Sequence, residues 1–394
     1  MTSSRPKVVV LGILFWYPLA GVTYQFLHYL IGLRNLGYDP YYVEASASWV
    51  YDPELHDLTP DALRNIAAVA PSLEAHGFGD RWAFPGNYPG GAAAGLAPER
   101  LPALYREAVG ILNVTGQELT PEQMECPRRV YVETDPGSSQ IRVAEGDPKT
   151  ITALDAHDIH FSFGENLGAD DCPLPLGKYS WLPTRQPVVT DLWRAIETRP
   201  RWDRHGRHYT TIATWQNPAW KNITHAGETY YWSKDREFEK ILELPLARVV
   251  PFELATRVSG DVEERLAGCG WIVERSNEVS RDTASYQSYI ASSRGEFTVA
   301  KDLVVRLRTG WFSDRSACYL AAGRPVITSE TGFSKVLPTG RGLFGWSTRD
   351  DILAAVDTIE GDYDASRQAA GEIAEEHFGA ERVLDSLMTR AGLR

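Results

Sequence analysis

Lys301, Arg306, Arg308 and Arg315 fall within fifteen residues of a chain whose formal charge is −12, a spacing that invites an anionic partner. Arg315 lies in the stretch Ser313 to Gly323, which reads as a short helix. Ser313 suits the N-cap, Asp314 the first turn, Cys318 to Ala322 an apolar face, and Gly323 a left-handed stop. Unpaired N–H groups and the helix dipole favour negative charge at such a start. Ser313, Ser316, Arg315 and Lys301 are therefore candidate phosphate ligands, Arg315 through a bidentate contact. For each cation taken singly, a solvated helix face or an ion pair with Asp302 or Asp314 is the competing explanation.

A second chemistry, proton removal, needs a carboxylate or imidazole beside the reacting hydroxyl. The strand Arg129 to Val132 runs into Glu133-Thr134-Asp135-Pro136-Gly137, and the strand Ile159 to Phe163 into Gly164-Glu165-Asn166. In open α/β sheets, site residues gather at such strand ends. Asp135, Glu133 and Glu165 are the candidate bases, with His28 a fourth, and the residues alone do not choose among them. A plain Asp-Pro-Gly turn is the competing explanation. His157, Asp158 and His160 have no metal-ligand spacing, and strand alternation divides them between faces.

The elements that must position these groups form two series. Lys7 to Leu11 is a β-branched strand, followed by a loop with Gly12, Pro18 and Gly21, a helix from Val22 to Leu36, and a strand at Tyr41 to Val43. Helices are expected over Pro60 to Ala70, Leu104 to Leu112 and Thr152 to Asp158. Composition changes at Leu182 to Pro187, which reads as a linker. Beyond it a second β-α-β series is expected: strands at Tyr209 to Thr214, Ala247 to Phe252, Trp271 to Val273, Gly295 to Val299, Val326 to Ile327 and Leu343 to Trp346, with helices between. Two doubly wound α/β domains follow, over 1–185 and 186–370, with a mostly helical tail over 371–394.

The segment Thr309 to Phe333, with Arg315 at the helix start, Leu320-Ala321-Ala322-Gly323, Arg324-Pro325-Val326 and Thr331-Gly332-Phe333, resembles the donor-binding segment of GT-B glycosyltransferases. The likeness is to bacterial glycosyltransferase family 1-like and spore-coat-type proteins. It implies two Rossmann-like domains facing a cleft, with a nucleotide-diphospho-sugar on the second and an acceptor on the first. It further implies a diphosphate near Ser313, Arg315, Ser316, Lys301 and Trp215, and donor sugar beside Thr331, Gly332 and Phe333. Acceptor contacts are implied at Tyr17, Gly21, Tyr24 and Gln25, and a terminal helix that crosses back onto the first domain. Many retaining members carry two Glu residues seven positions apart here. Gly310 and Cys318 occupy those positions in this chain, so inversion is expected, with no metal and no cofactor beyond the co-substrate.

Other functions fit less of the sequence. Glu44 after the second strand imitates a dinucleotide site, yet Gly12 and Gly21 do not form GxGxxG. Glu133-Thr134-Asp135 imitates the metal motif of GT-A enzymes, but the donor-like segment then lies on the wrong side of it. A sugar-nucleotide epimerase and a non-catalytic sugar-nucleotide-binding protein share the expected fold. Acidic composition argues against a nucleic-acid partner. The cysteines at 126, 172, 269 and 318 show no CxxC, which fits reduced thiols in a bacterial cytoplasm. Val8 to Val22 is too short to span a bilayer, and a small-molecule or glycan acceptor is expected.

Overall fold

The computed structural model describes residues 5–45, 49–55, 57–86, 91, 93–194, 196, 206–218 and 221–394. Its first half holds β1 (Lys7–Leu11), β2 (Asp39–Val43), β3 (Val50–Asp52), β4 (Asp57–Thr59), β5 (Trp82–Phe84), β6 (Ala94–Gly95), β7 (Gly110–Val114), β8 (Arg129–Glu133), β9 (Ile159–Ser162) and β10 (Trp181–Pro183). Eight of these form one sheet in the order β10-β9-β8-β7-β1-β2-β5-β6, while β3 and β4 pair as a hairpin. Every neighbouring pair is parallel except β5 with β6. A sheet covered by helices on both faces calls for continuous apolar strands, and Val8 to Leu11 and Gly110 to Val114 are buried throughout.

The second half repeats the plan with β11 (Tyr209–Ile212), the hairpin β12 (Ile223–His225) and β13 (Glu228–Tyr230), then β14 (Phe252–Thr256), β15 (Ile272–Arg275), β16 (Gly295–Thr298), β17 (Val326–Ser329) and β18 (Leu343–Trp346). Six of them form a parallel sheet ordered β15-β14-β11-β16-β17-β18. Both sheets are thus doubly wound, and the fold class agrees with expectation. Two elements depart from it. The expected helix over Leu104 to Leu112 is a helix Leu101–Glu107 followed by the central strand β7, because Ile111, Leu112 and Val114 are wanted by the core between β1 and β8. The expected strand over Ala247 to Phe252 begins only at Phe252, since a 3-10 helix over Leu244–Ala247 takes its first residue and Pro251 cannot donate to a ladder.

The halves are tied by the chain's end. Val188 donates to Phe378 O at 2.7 Å and Ala380 to Val188 O at 2.9 Å, which pins the segment after β10 to the tail. The helix Ala380–Arg390 then lies on the helix Ala20–Asn35, where a Cβ on Gly32 would sit 2.6 Å from Leu384 Cδ1 and 3.0 Å from Ala380 Cβ, so a larger residue there would push the Leu384 side chain or the helices aside. Tyr38 donates to Leu393 O at 3.0 Å and Arg128 to Ala391 O at 2.8 Å.

Candidate functional site

The C-terminal ends of the second sheet's strands face the first half across a cavity of about 580 Å³. Ala213, Thr214, Gln216 and Asn217 enter it from the end of β11, Arg257 from β14, Asn277 after β15, Lys301 after β16, and Arg315 from the helix Asp314–Ala321. Lys234, just before the helix Asp235–Glu239, completes its basic lining: Lys234, Arg257, Lys301 and Arg315, with no carboxylate among the lining residues. Burial and the neighbouring charges of Arg315 and Lys301 push the Lys234 ammonium well below its usual pKa. Like charges held together in this way are relieved by an anion. Lys301 Nζ lies 2.5 Å from Asp135 Oδ1 and 3.8 Å from the ring centre of Trp232. Arg315 is 15% exposed and ties to Glu296 (2.6 Å), Ile212 O (2.5 Å) and Thr298 Oγ1 (2.8 Å). Three of its five N–H groups are thereby engaged.

On the other side of Trp232 a cavity of about 420 Å³ is lined by Glu133, Asp135 and Asp314, with Gln25, Thr115, Ser138, Ser139 and Trp311, and with no basic side chain among its lining residues. Glu133 ends β8 and is 3% exposed. Its Oε2 accepts from Gln140 and Ser162, both at 2.7 Å, and its Oε1 has no partner. Gln140 is itself fixed, for its Oε1 accepts from Gly137 N at 2.8 Å. Burial raises the Glu133 pKa to about 7 against those hydrogen bonds. Asp314, in the first turn of its helix, is lifted to about 7 by burial and by the charge of Asp135. A carboxyl near neutral pKa, oriented through one oxygen and unpartnered at the other, is suited to general-base work once a hydroxyl reaches it.

The remaining sequence candidates divide. Gln25 lines this cavity, and Gly21 a small neighbouring one where a Cβ would meet Tyr286 Oη at 3.3 Å. Tyr24 is 3% exposed, packs against Trp193 and Tyr286, and donates to Thr283 O. Tyr17 stacks between Trp16 and Tyr51. Trp215 is buried against Phe238. Ser313 occupies the N-cap without a side-chain capping bond, and Ser316 Oγ is buried and unpartnered. Thr331 donates to Trp311 O at 2.6 Å, Gly332 (φ +100°) lies against Asn166, and Phe333 packs on Phe312. Glu165 pairs with Arg185 at 2.7 Å. His28 is buried, accepts from Val189 N, and is held neutral by burial, which lowers its pKa to about 3. Gly310 has a Cβ position 2.4 Å from Asn166 N, and Cys318 is buried beside His28, so neither position has room for a carboxylate facing a ligand.

Glu44 accepts from Phe15 N, Trp16 N and Tyr42 Oη, so its carboxyl holds the β1 loop from beneath where a dinucleotide site would aim it at a ribose. Lys234, Arg257, Trp232 and Asp314 were not among the sequence candidates. Arg257 directly follows β14, and the strand-end rule applied to that strand finds it. Among the described residues no three His, Cys, Asp or Glu side chains are placed to hold a metal ion, and no helix is long and apolar enough to cross a membrane.

This arrangement, two doubly wound sheets whose strand ends face each other over a charged cleft, is the GT-B fold. No family model matches the sequence, and no curated protein matches it either. Solved structures do resemble it along its whole length. An α-glucosyltransferase in complex with UDP superposes with a TM-score of 0.56 at 10% identity, covering 98% of this chain and 99% of its own. Anabaena HepE in complex with UDP and glucose gives 0.53 at 11% identity, covering 98% and 100%. AviGT4, a glycosyltransferase involved in avilamycin A biosynthesis, gives 0.50 at 12% identity, covering 98% and 97%.

Proposed function

We propose that this chain is a glycosyltransferase that moves a sugar from a nucleoside-diphosphate sugar to an acceptor hydroxyl, with inversion and without a resident metal ion. The observation that carries the reading is the pairing of a basic, carboxylate-free cavity with an acidic, cation-free one on either side of Trp232. The donor diphosphate lies against Lys234, Arg257 and Lys301, with Arg315 behind them. Glu133 Oε1 takes the acceptor hydroxyl's proton, the oxygen attacks the anomeric carbon, and the bond to the β-phosphate breaks with its electron pair leaving on the phosphate oxygen. The cations stabilise that charge as it develops, the part a metal takes elsewhere. Asp135 orients Lys301 through their ion pair. The three neighbours above, each described as a glycosyltransferase or bound to UDP, agree with this reading.

Release of UDP from a panel of UDP-sugars in the presence of EDTA tests it. Turnover that falls by about 10² to 10⁴-fold in Glu133→Gln while UDP binding persists is the expected result. Tight UDP binding with no release from any donor, with or without acceptors, contradicts it.

A further inference from the structure

Resting on that reading, we propose that the acceptor bears a protonated amine near its reacting hydroxyl, and that Asp314 is the residue that selects it. The acidic cavity is unusual in its charge. Three carboxylates line it, and among the described residues only Asp135 makes an ion pair, with Lys301 from the adjoining cavity. Glu133 has an oxygen that is buried and without a partner. A buried carboxyl with an unpartnered oxygen is costly to ionise, and a cation from outside lowers that cost for Glu133 and for the half-buried Asp314 that shares its cavity. Among the described residues the carboxylates are not grouped for a metal, and an organic ammonium fits their spacing beside indole rings.

The walls suit such a group. Trp232 and Trp311 border the cavity, and an ammonium over an indole face is attracted by its quadrupole. The protein makes this contact itself, since Lys301 Nζ rests between the Trp232 ring and Asp135. Gln25, Thr115, Ser138 and Ser139 supply donors and acceptors for the hydroxyls of a polar ring. Of the two unmatched carboxyls, Glu133 is oriented by Gln140 and Ser162 toward proton transfer, and Asp314 is left for recognition. Charge of this sign also opposes a phosphorylated acceptor or a nucleic acid.

Calorimetric titration of the UDP-saturated protein with 2-deoxystreptamine and glucosamine, against myo-inositol and N-acetylglucosamine, tests the proposal. The amines are expected to bind about tenfold or more tightly than their neutral counterparts, as for a charge-assisted contact. Asp314→Asn is expected to erase that preference with UDP affinity unchanged, and Asp314→Glu to restore it; thermal unfolding checks that both fold. Equal binding of amines and neutral compounds, no binding by either, or a preference that survives Asp314→Asn, each overturns the proposal while UDP still binds. Failure to bind UDP overturns the transferase reading itself, and this inference with it.

Discussion

Trp232 separates two cavities of opposite charge, and the contrast shows how one fold divides its labour. On the second sheet the cations come from four separate strand ends or helix starts and stand without carboxylate neighbours in the lining. On the first sheet the carboxylates gather around the end of β8, joined by Asp314 from the opposing helix, without cations. Among the described residues a single ion pair, Lys301 with Asp135, crosses between them. Segregation of this kind suits a reaction in which negative charge grows on one side while a proton leaves on the other.

The contrast can be broken from either side. The largest effect is expected from Glu133→Gln, which removes the base: turnover should fall by about 10² to 10⁴-fold with UDP affinity unchanged, measured as UDP release and by calorimetry. Arg315→Ala comes next, and its effect lies in stability. Because Glu296 is fully buried, removing its partner leaves an uncompensated charge worth about 3 to 5 kcal/mol, read as a lower denaturation midpoint. Arg257, exposed and making no ion pair among the described residues, should behave oppositely. Arg257→Ala is expected to cost about 1.5 to 3 kcal/mol in UDP binding and little in stability. The smallest effect belongs to Asp135→Asn. Its carboxyl is 41% exposed, so the ion pair contributes about 1 kcal/mol or less to stability in a denaturation series.

A pH series sharpens the same contrast. The Glu133 carboxyl is lifted from 4.5 to about 7, and its ionised form is the base, so turnover should rise with pH and reach half its plateau near 7. The stability effect has the opposite sign. Burial disfavours the charged form, so the group's contribution is fully present below 4.5 and is lost as pH rises through about 7. Glu133→Gln should therefore lose the acid limb of the activity profile and lose no stability at about pH 8, by thermal unfolding.

What could be read from residues alone was local. The Val8 to Leu11 strand, the Ser313 to Gly323 helix and the turn after β8 each carry their signal within a few positions, and so Lys301, Arg315, Glu133 and Asp135 could be named as candidates that the fold then places in the linings of the two cavities. Arg257 was missed because the strand that delivers it runs on to Thr256 where one ending at Phe252 was expected, and Lys234, placed before a helix, joins the cluster only through the tertiary fold. The helix expected over Leu104 to Leu112 failed for a related reason. A short apolar run with both faces buried has no periodicity to separate strand from helix, and pairing with β1 and β8 decided it. Tyr24 is polar-looking and Phe333 loop-placed in sequence, yet Tyr24 is packing across the two halves, on Trp193 and Tyr286, and Phe333 is packing within the second, on Phe312. Gly310 was legible as a missing carboxylate, and its physical reason, the backbone of Asn166 at 2.4 Å, was not.

The central claim, that the basic cavity holds a nucleoside diphosphate, is tested most directly by calorimetric titration with UDP, GDP and dTDP in EDTA, on the parent protein and on Arg257→Ala. One nucleotide binding at one site per chain, weakened about ten- to hundredfold in the variant, is the expected result. Binding of none of them, or binding that Arg257→Ala leaves untouched, contradicts the account.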